Sequence, residues 1–235
     1  MKAKNILFPA AVLLLIGLVG GLLLWNIQRR VERAPIPPQV LTGRPVVALT
    51  FDDGPDARYT PHLLDVLYEE QVPATFFLVG QQIEGNEALV REMVASGHEI
   101  GGHTDSHANL NQLTETQARA ELENMQAALD KALGQRMLVK YQRPPYGEYP
   151  AWMEETKDLK LVLWTLDGQD WQDPQADVIC ERVVQAAKDG DVIVLHDNNL
   201  ETVRAVERLI PALREKGFAF ATISQMEAAG YDVIL

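Results

Sequence analysis

Val46-Val47-Ala48-Leu49-Thr50-Phe51-Asp52-Asp53-Gly54-Pro55-Asp56 opens the main body of this chain. Residues 46–51 are a short run rich in β-branched and apolar side chains, the pattern of a buried strand. The run ends in two adjacent carboxylates and a Gly-Pro turn. Thr60-Pro61 then signals a helix start, with Thr as N-cap and Pro at the first helical position. A second apolar run follows at 74–79. Strand, polar turn, helix and strand in that order begin a parallel α/β fold.

The alternation holds to the C-terminal end. Residues 86–96 read as a helix stopped by Gly97, and 98–100 as a third strand. Thr114 and Gln117 make a capping box, and Ala118, Leu122, Met125, Leu129 and Ala132 form the apolar stripe of the helix it starts. Strands are predicted at 138–142, 161–166, 192–195 and 218–223, with helices near 151–157, 174–188 and 200–216. Seven parallel strands alternating with helices predict an α/β fold. Closure into a (β/α) barrel is the economical arrangement, because it leaves no strand edge unpaired. There is no internal repeat or low-complexity tract.

Ahead of the body, residues 6–27 carry no charge, and at about 1.5 Å per residue they span a bilayer core of about 30 Å. An uncleaved transmembrane anchor and a cleaved signal peptide both fit this run. Its length, and the lack of a clear small-x-small cleavage site before 25–30, favour the anchor. Pro35, Pro37, Pro38 and Gly43 make residues 34–45 a stiff extended linker. The chain thus divides into a membrane anchor or signal segment at 1–33, the linker, and a body at 46–235.

Composition narrows the function. The 235 residues are 47% hydrophobic and 23% charged, as a globular protein requires. A single Cys excludes an internal disulfide framework and any Cys-rich zinc module. The formal net charge is -12, and residues 1–33 hold five of the 21 cations against one acid. The body is therefore strongly acidic, which argues against nucleic acid as a partner.

Polar residues gather where predicted strands end, the functional edge of such folds. The first strand delivers Asp52 and Asp53, the third His103 and His107, and the fourth Arg143 and Tyr146. The fifth delivers Asp170 and Trp171, and the sixth Val194 and His196. Each alone has a plain structural reading: Asp-Asp-Gly-Pro is a good turn, Arg143 a surface ion pair, His196-Asp197 a satisfied polar pair. Their common position gives them weight. His103 and His107, four apart, are expected on one face of a helical turn. Two imidazoles and a carboxylate leave an open position on a tetrahedral divalent ion. Of Asp52 and Asp53, one can bind the ion and the other accept a proton from its water. Neighbours on a regular strand point opposite ways, so the Gly54-Pro55 turn must re-aim one of them. His196 is the candidate acid, with Arg143 and Asp170 as orienting groups.

These motifs, in this order, resemble the NodB-homology polysaccharide deacetylases, carbohydrate esterase family 4, over essentially the whole body. The resemblance implies a distorted (β/α) barrel of about seven parallel strands. It implies that Asp52 is the general base, that Asp53, His103 and His107 hold the metal, and that Zn²⁺, or Co²⁺ in its place, is the ion. It implies that Arg143 steadies Asp52 and that the Tyr146 N–H helps hold the oxyanion. Asp170 would orient the general acid His196, with Trp171 and Val194 lining the acetate pocket. Val194, Asp105 and Ala108 depart from the usual Leu, aromatic and Pro of the family, and none removes a reacting group.

The expectation is therefore hydrolysis of N-acetyl groups on a β-linked amino-sugar polymer, releasing acetate. If the head is an anchor, the body must face the wall side of the membrane, which makes peptidoglycan the leading substrate and the protein single-pass and extracytoplasmic; if the head is cleaved, the protein is secreted. Chitin-like oligomers stay open. An O-acetyl xylan esterase and a glycan-binding pseudoenzyme are the rival readings. Outside the constellation, His62 and His98 read as surface or structural, Trp164 as core, and Cys180 as a small buried residue.

Overall fold

Residues 33–156 and 159–234 are described by a computed structural model. The anchor expected at 6–27 lies outside the described residues. Among the described residues, no helix is long and apolar enough to cross a membrane.

β1 (Val46–Asp52) is buried along its whole length, as a strand covered on both faces must be. Its two faces differ. Val47, Leu49 and Phe51 join the larger apolar cluster with the surrounding helices. Val46 and Ala48 belong to a second cluster with Phe77, Tyr141, Val192, Ala219 and Met226. That inner file continues upward as Thr50 and then Asp52, so one face of one strand changes from apolar to reactive in two residues.

After β1 come α1 (Thr60–Glu69), β2 (Thr75–Leu78), α2 (Gly80–Ile83), α3 (Glu87–Ala95) and β3 (Glu99–Gly102). α4 (Glu115–Leu133) begins with the expected capping box at Thr114 and ends on left-handed Gly134. β4 (Tyr141–Gln142), β5 (Lys160–Leu161), β6 (Leu166–Asp167), α5 (Ala176–Ala186) and β7 (Asp191–His196) follow. α6 (Leu200–Glu215), β8 (Ala219–Phe220) and α7 (Ile223–Ala228) complete the order. The sheet runs β5-β4-β3-β2-β1-β7-β6, with every pairing parallel. β8 pairs with β1 at Val46 and Val47, below the registered pairs of β2 at Thr50–Asp52.

Closure differs from the expectation. The run expected as one strand at 161–166 is two short strands, and no ladder joins them. The Val162 N–H still donates to Gln142 on β4, while the Thr165 N–H already donates to Val192 on β7. A single stretch of chain thus leaves one edge of the sheet and joins the other, so the sheet is a half-barrel whose two edges are bridged by this crossing and not paired as strands. The Val162 and Leu163 carbonyls exposed in the gap accept from Arg143 Nε at 3.1 Å and Nη2 at 2.8 Å. Arg143 stands where a neighbouring strand would have supplied donors.

Other elements are shorter than expected. The strand at 218–223 stops at Phe220, because the Thr222 side chain caps α7. The helix at 151–157 is a 3₁₀ turn, Ala151–Met153. Thr60 is not the N-cap of α1; Tyr59 holds that position, and the Thr60 hydroxyl turns to the Asp197 carboxylate. The proline-rich stretch after Pro35 is extended and strapped to the body. The Ile36 N–H donates to Ser96 O at 2.8 Å, and Arg44 Nη2 to Phe218 O at 2.6 Å.

Candidate active site

All ten residues singled out in the sequence meet at the C-terminal end of the strands. A cavity of about 460 Å³ is lined by Asp52, Asp53, His103, His107, Tyr146, Trp171, Val194 and His196, together with Trp164, Asp167 and Asn198. Arg143 and Asp170 lie fully buried behind its wall. A larger cavity, about 680 Å³, opens among Leu41, Arg44, Asp189 and Tyr231 and gathers none of this chemistry.

Asp52 ends the inner file of β1 and is 3% exposed. Its Oδ1 accepts from Arg143 Nη1 at 2.7 Å. The same Nη1 donates to Thr50 Oγ1 at 2.8 Å, and the guanidinium lies 4.0 Å over the Phe77 ring. Burying a lone guanidinium is costly, and here carboxylate, hydroxyl, two carbonyls and a ring face compensate it. Gly101 makes room for this stack, since a Cβ there would sit 2.4 Å from the Phe77 ring. Asp53 follows with φ of 76°, and this left-handed residue swings the second carboxylate to the same cavity, as the strand argument required.

His103 and His107 come together by a route other than the helical turn expected. Thr104 and His107 have φ of 64° and 59°, and the segment is an irregular loop. Its N–H groups have no helical partners. Glu121 on α4 accepts from Asp105 N at 3.0 Å and Ser106 N at 2.8 Å, and so replaces them. The two imidazole centroids are 5.0 Å apart. His103 Nδ1 is 2.6 Å from the Arg143 carbonyl, which fixes that nitrogen as the donor and leaves Nε2 as an acceptor.

Nε2 of His107 and of His103 lie 3.2 and 3.6 Å from Asp53 Oδ1. That oxygen is buried and has no hydrogen-bond partner. Burial disfavours the Asp53 carboxylate, but His107 in contact and the charges of His103 and His196 hold it below its usual range. Burial pushes the His103 imidazole down, against the pull of Asp52 and Asp53 nearby. One carboxylate and two imidazoles, with ligand atoms within 4.8 Å of one another and an orphaned oxygen between them, fit a divalent ion.

His196 closes β7. Its Nδ1 lies 2.8 Å from Asp170 Oδ1, while Asp170 Oδ2 accepts from the His196 N–H at 2.8 Å and from Thr202 Oγ1 at 2.6 Å. Burial opposes the charged imidazole, but the Asp170 hydrogen bond and charge, with Asp52 and Asp53 behind them, lift it to about 9. Tyr146 has φ of 63° and lays its ring edge-on to His107, centroids 4.9 Å apart. Among the described residues its N–H has no backbone partner, while the next two N–H groups close back on Pro144 and Pro145.

Four participants escaped the sequence reading. Trp164 was expected in the core, but the edge switch at 162–165 turns it into the cavity. Asp167 accepts from Trp171 Nε1 at 3.4 Å. Asn198 reaches Asp53, and Glu121 holds the histidine loop. Asn198 and Asp167 stand next to strand-end motifs, which is the signal that could have found them. Glu121 carries none, because on a helix pattern it reads as a solvated acid. His98 is structural: buried beside Phe76, its Nδ1 accepts from Ala74 N, and burial pushes it down to about 4.

Residues 39–164 match the polysaccharide deacetylase family. A chitooligosaccharide deacetylase of Sinorhizobium fredii is 35% identical over 207 residues, covering 80% of this chain and 94% of its own. A peptidoglycan-N-acetylglucosamine deacetylase of Bacillus cereus is 33% identical over 196 residues, covering 80% and 91%. The structure of the peptidoglycan deacetylase PdaC from Bacillus subtilis superposes with a TM-score of 0.76 at 32% identity, covering 80% of this chain and 93% of that one. A cavity that pairs a guanidinium-held carboxylate with a carboxylate-held imidazole, on a scaffold shared at this level with those enzymes, places the chain in the polysaccharide deacetylases, hydrolases of N-acetyl groups.

Proposed function

We propose that the chain cleaves N-acetyl groups from β-linked N-acetylglucosamine units of a cell-wall polymer, with peptidoglycan as substrate and chitin-type oligomers as soluble surrogates. The observation that carries this reading is the pairing of Asp52–Arg143 with His196–Asp170 around the Asp53, His103 and His107 donors in one cavity. The enzymes named above, which act on chitooligosaccharides and peptidoglycan, support the substrate class.

Asp53, His103 and His107 would hold a divalent ion, Zn²⁺ with Co²⁺ as substitute, which when bound polarises the acetamide carbonyl and makes water a better nucleophile. Asp52 Oδ2, the oxygen Arg143 Nη1 does not engage, accepts the proton of the attacking water. The Tyr146 N–H receives negative charge on the former carbonyl oxygen. His196 gives its Nε2 proton to the departing nitrogen, while Asp170 holds Nδ1. An amine leaves only once protonated, and the imidazole held by Asp170 is the group placed to supply that proton. Trp171, Val194 and Tyr146 wall the space for the acetyl methyl.

Acetate release from peptidoglycan fragments, N-acetylglucosamine oligomers and acetylated xylan tests the reading. Asp52→Asn, His103→Ala and His196→Ala should each abolish release from the first two. Release surviving in two of the three variants contradicts the assignment, release from xylan alone supports the esterase, and glycan binding without release supports the pseudoenzyme. The uncharged run at 6–27 supports an anchor that holds the body on the outer face of the membrane. Protease accessibility of intact cells against lysed cells tests that placement.

A further inference from the structure

β7 runs out into four side chains with four different tasks. His196 bonds Asp170. Asn199 caps α6 by accepting the Thr202 N–H at 2.8 Å. Asp197 is fully buried against Gly54, where a Cβ would come within 2.3 Å of both its carboxylate oxygens. Its N–H donates to Asp52 O at 3.4 Å. The end of β7 is thereby clamped to the Asp52–Gly54 turn. Asn198 remains, and the reaction described above leaves it without a role. It is exposed, and it stands where the main cavity meets a neighbouring one of about 300 Å³, with Asp53 and His107 also lining both.

Asn198 Nδ2 donates to Asp53 Oδ2 at 3.2 Å. The other oxygen, Oδ1, faces both imidazole Nε2 atoms and has no hydrogen-bond partner. The two oxygens of one carboxylate are therefore in different situations. We propose that Asn198 is a positioning residue for Asp53: its amide engages Oδ2, so that Asp53 presents Oδ1 alone to a cation shared with His103 and His107. This rests on the reading of those three residues as a metal site. Asp53 sits on a left-handed turn residue, and without a tether its side chain can rotate and offer either oxygen. A hydrogen bond from the clamped end of β7 removes that freedom before the ion arrives. Outer partners of metal-binding carboxylates and imidazoles commonly contribute a factor of about 10–100 in affinity.

Full-length protein stripped by a chelator and dialysed is titrated with Zn²⁺ against a chromophoric competitor, and its Co²⁺ absorption spectrum is recorded. Asn198→Ala and Asn198→Leu should each weaken Zn²⁺ binding by about 10–100-fold and alter the Co²⁺ bands. Thermal unfolding of both metal-free variants should match wild type, because the side chain is exposed. Leu keeps the branched outline of Asn, slightly enlarged, without its donor, so equal losses identify the N–H. Affinity within about threefold of wild type in both variants, or a loss in Ala that Leu restores, overturns the proposal. Wild-type protein that binds no Zn²⁺ overturns instead the metal site itself.

Discussion

Asp170→Asn tests how this site makes an acid. The change keeps the shape of a fully buried side chain and removes its charge. Asp170 accepts from three donors: the His196 ring, the His196 N–H and the Thr202 hydroxyl. An amide can accept on one atom only and must aim its NH₂ at a remaining donor. Without the carboxylate, burial dominates His196, and its pKa falls from about 9 to its ordinary 6.5 or lower. At about pH 8 the protonated fraction then drops from about 0.9 to about 0.03, a factor of about 30 in the competent acid. The same shift is a stability statement. A histidine raised above its unfolded value stabilises the fold fully below 6.5, and that contribution is lost as pH rises through about 9. Its size is about 3 kcal/mol, from about 1.4 kcal/mol per unit. The assay is acetate release from an N-acetylglucosamine oligomer between about pH 5 and 10, with urea unfolding alongside. Wild type should hold its rate to an alkaline limb near 9, and the variant should lose it below 7. A variant whose limb stays in place and whose rate at pH 8 is within about threefold of wild type would refute the reasoning.

Further consequences can be measured in the same protein. Complete burial pushes the Asp197 carboxyl up to about 7, against the Thr60 hydroxyl and with help from Asp53 and Asp56. The unfolded chain releases that proton near 3.8, so the folded state binds more protons between the two values and stability falls as pH rises through this window. Asn at position 197 removes the titration, and with chelator present the gap in urea midpoint over wild type should widen from about pH 4.5 to about 7.5; a constant gap contradicts it. Gly101→Ala puts a methyl against the Phe77 ring beneath Arg143 and should cost about 1–3 kcal/mol together with a fall in kcat; unchanged urea midpoints would show that the ring yields freely. Dialysis against a strong chelator should abolish acetate release, and Zn²⁺ or Co²⁺ should restore it; undiminished activity in metal-free enzyme would exclude a metal role.

Much of this was legible in the residues because strand ends in a parallel sheet are few and chemically distinct. β1 reads from its unbroken apolar run, and the reacting groups from their recurrence after successive strands. What escaped depends on long-range geometry. The split of 161–166 follows from Arg143 taking the Val162 and Leu163 carbonyls, a tertiary contact with no periodicity of its own. Trp164 lines the cavity and not the core for the same reason, since it stands where the chain changes edge. Four-residue spacing reads as a helical turn, but a loop with left-handed Thr104 and His107 also brings the two imidazoles together. Between them the Asp105 and Ser106 N–H groups are held by Glu121 on α4.

The proposed reaction requires Asp53, His103 and His107 to share one cation. Crystals grown with Zn²⁺ and measured on both sides of its absorption edge test this most directly. The expected result is an anomalous peak bonded to Asp53 Oδ1 and to Nε2 of both histidines, at about 2.0–2.2 Å. A zinc-soaked crystal with no peak there, or with the three side chains turned away from one another, would contradict it.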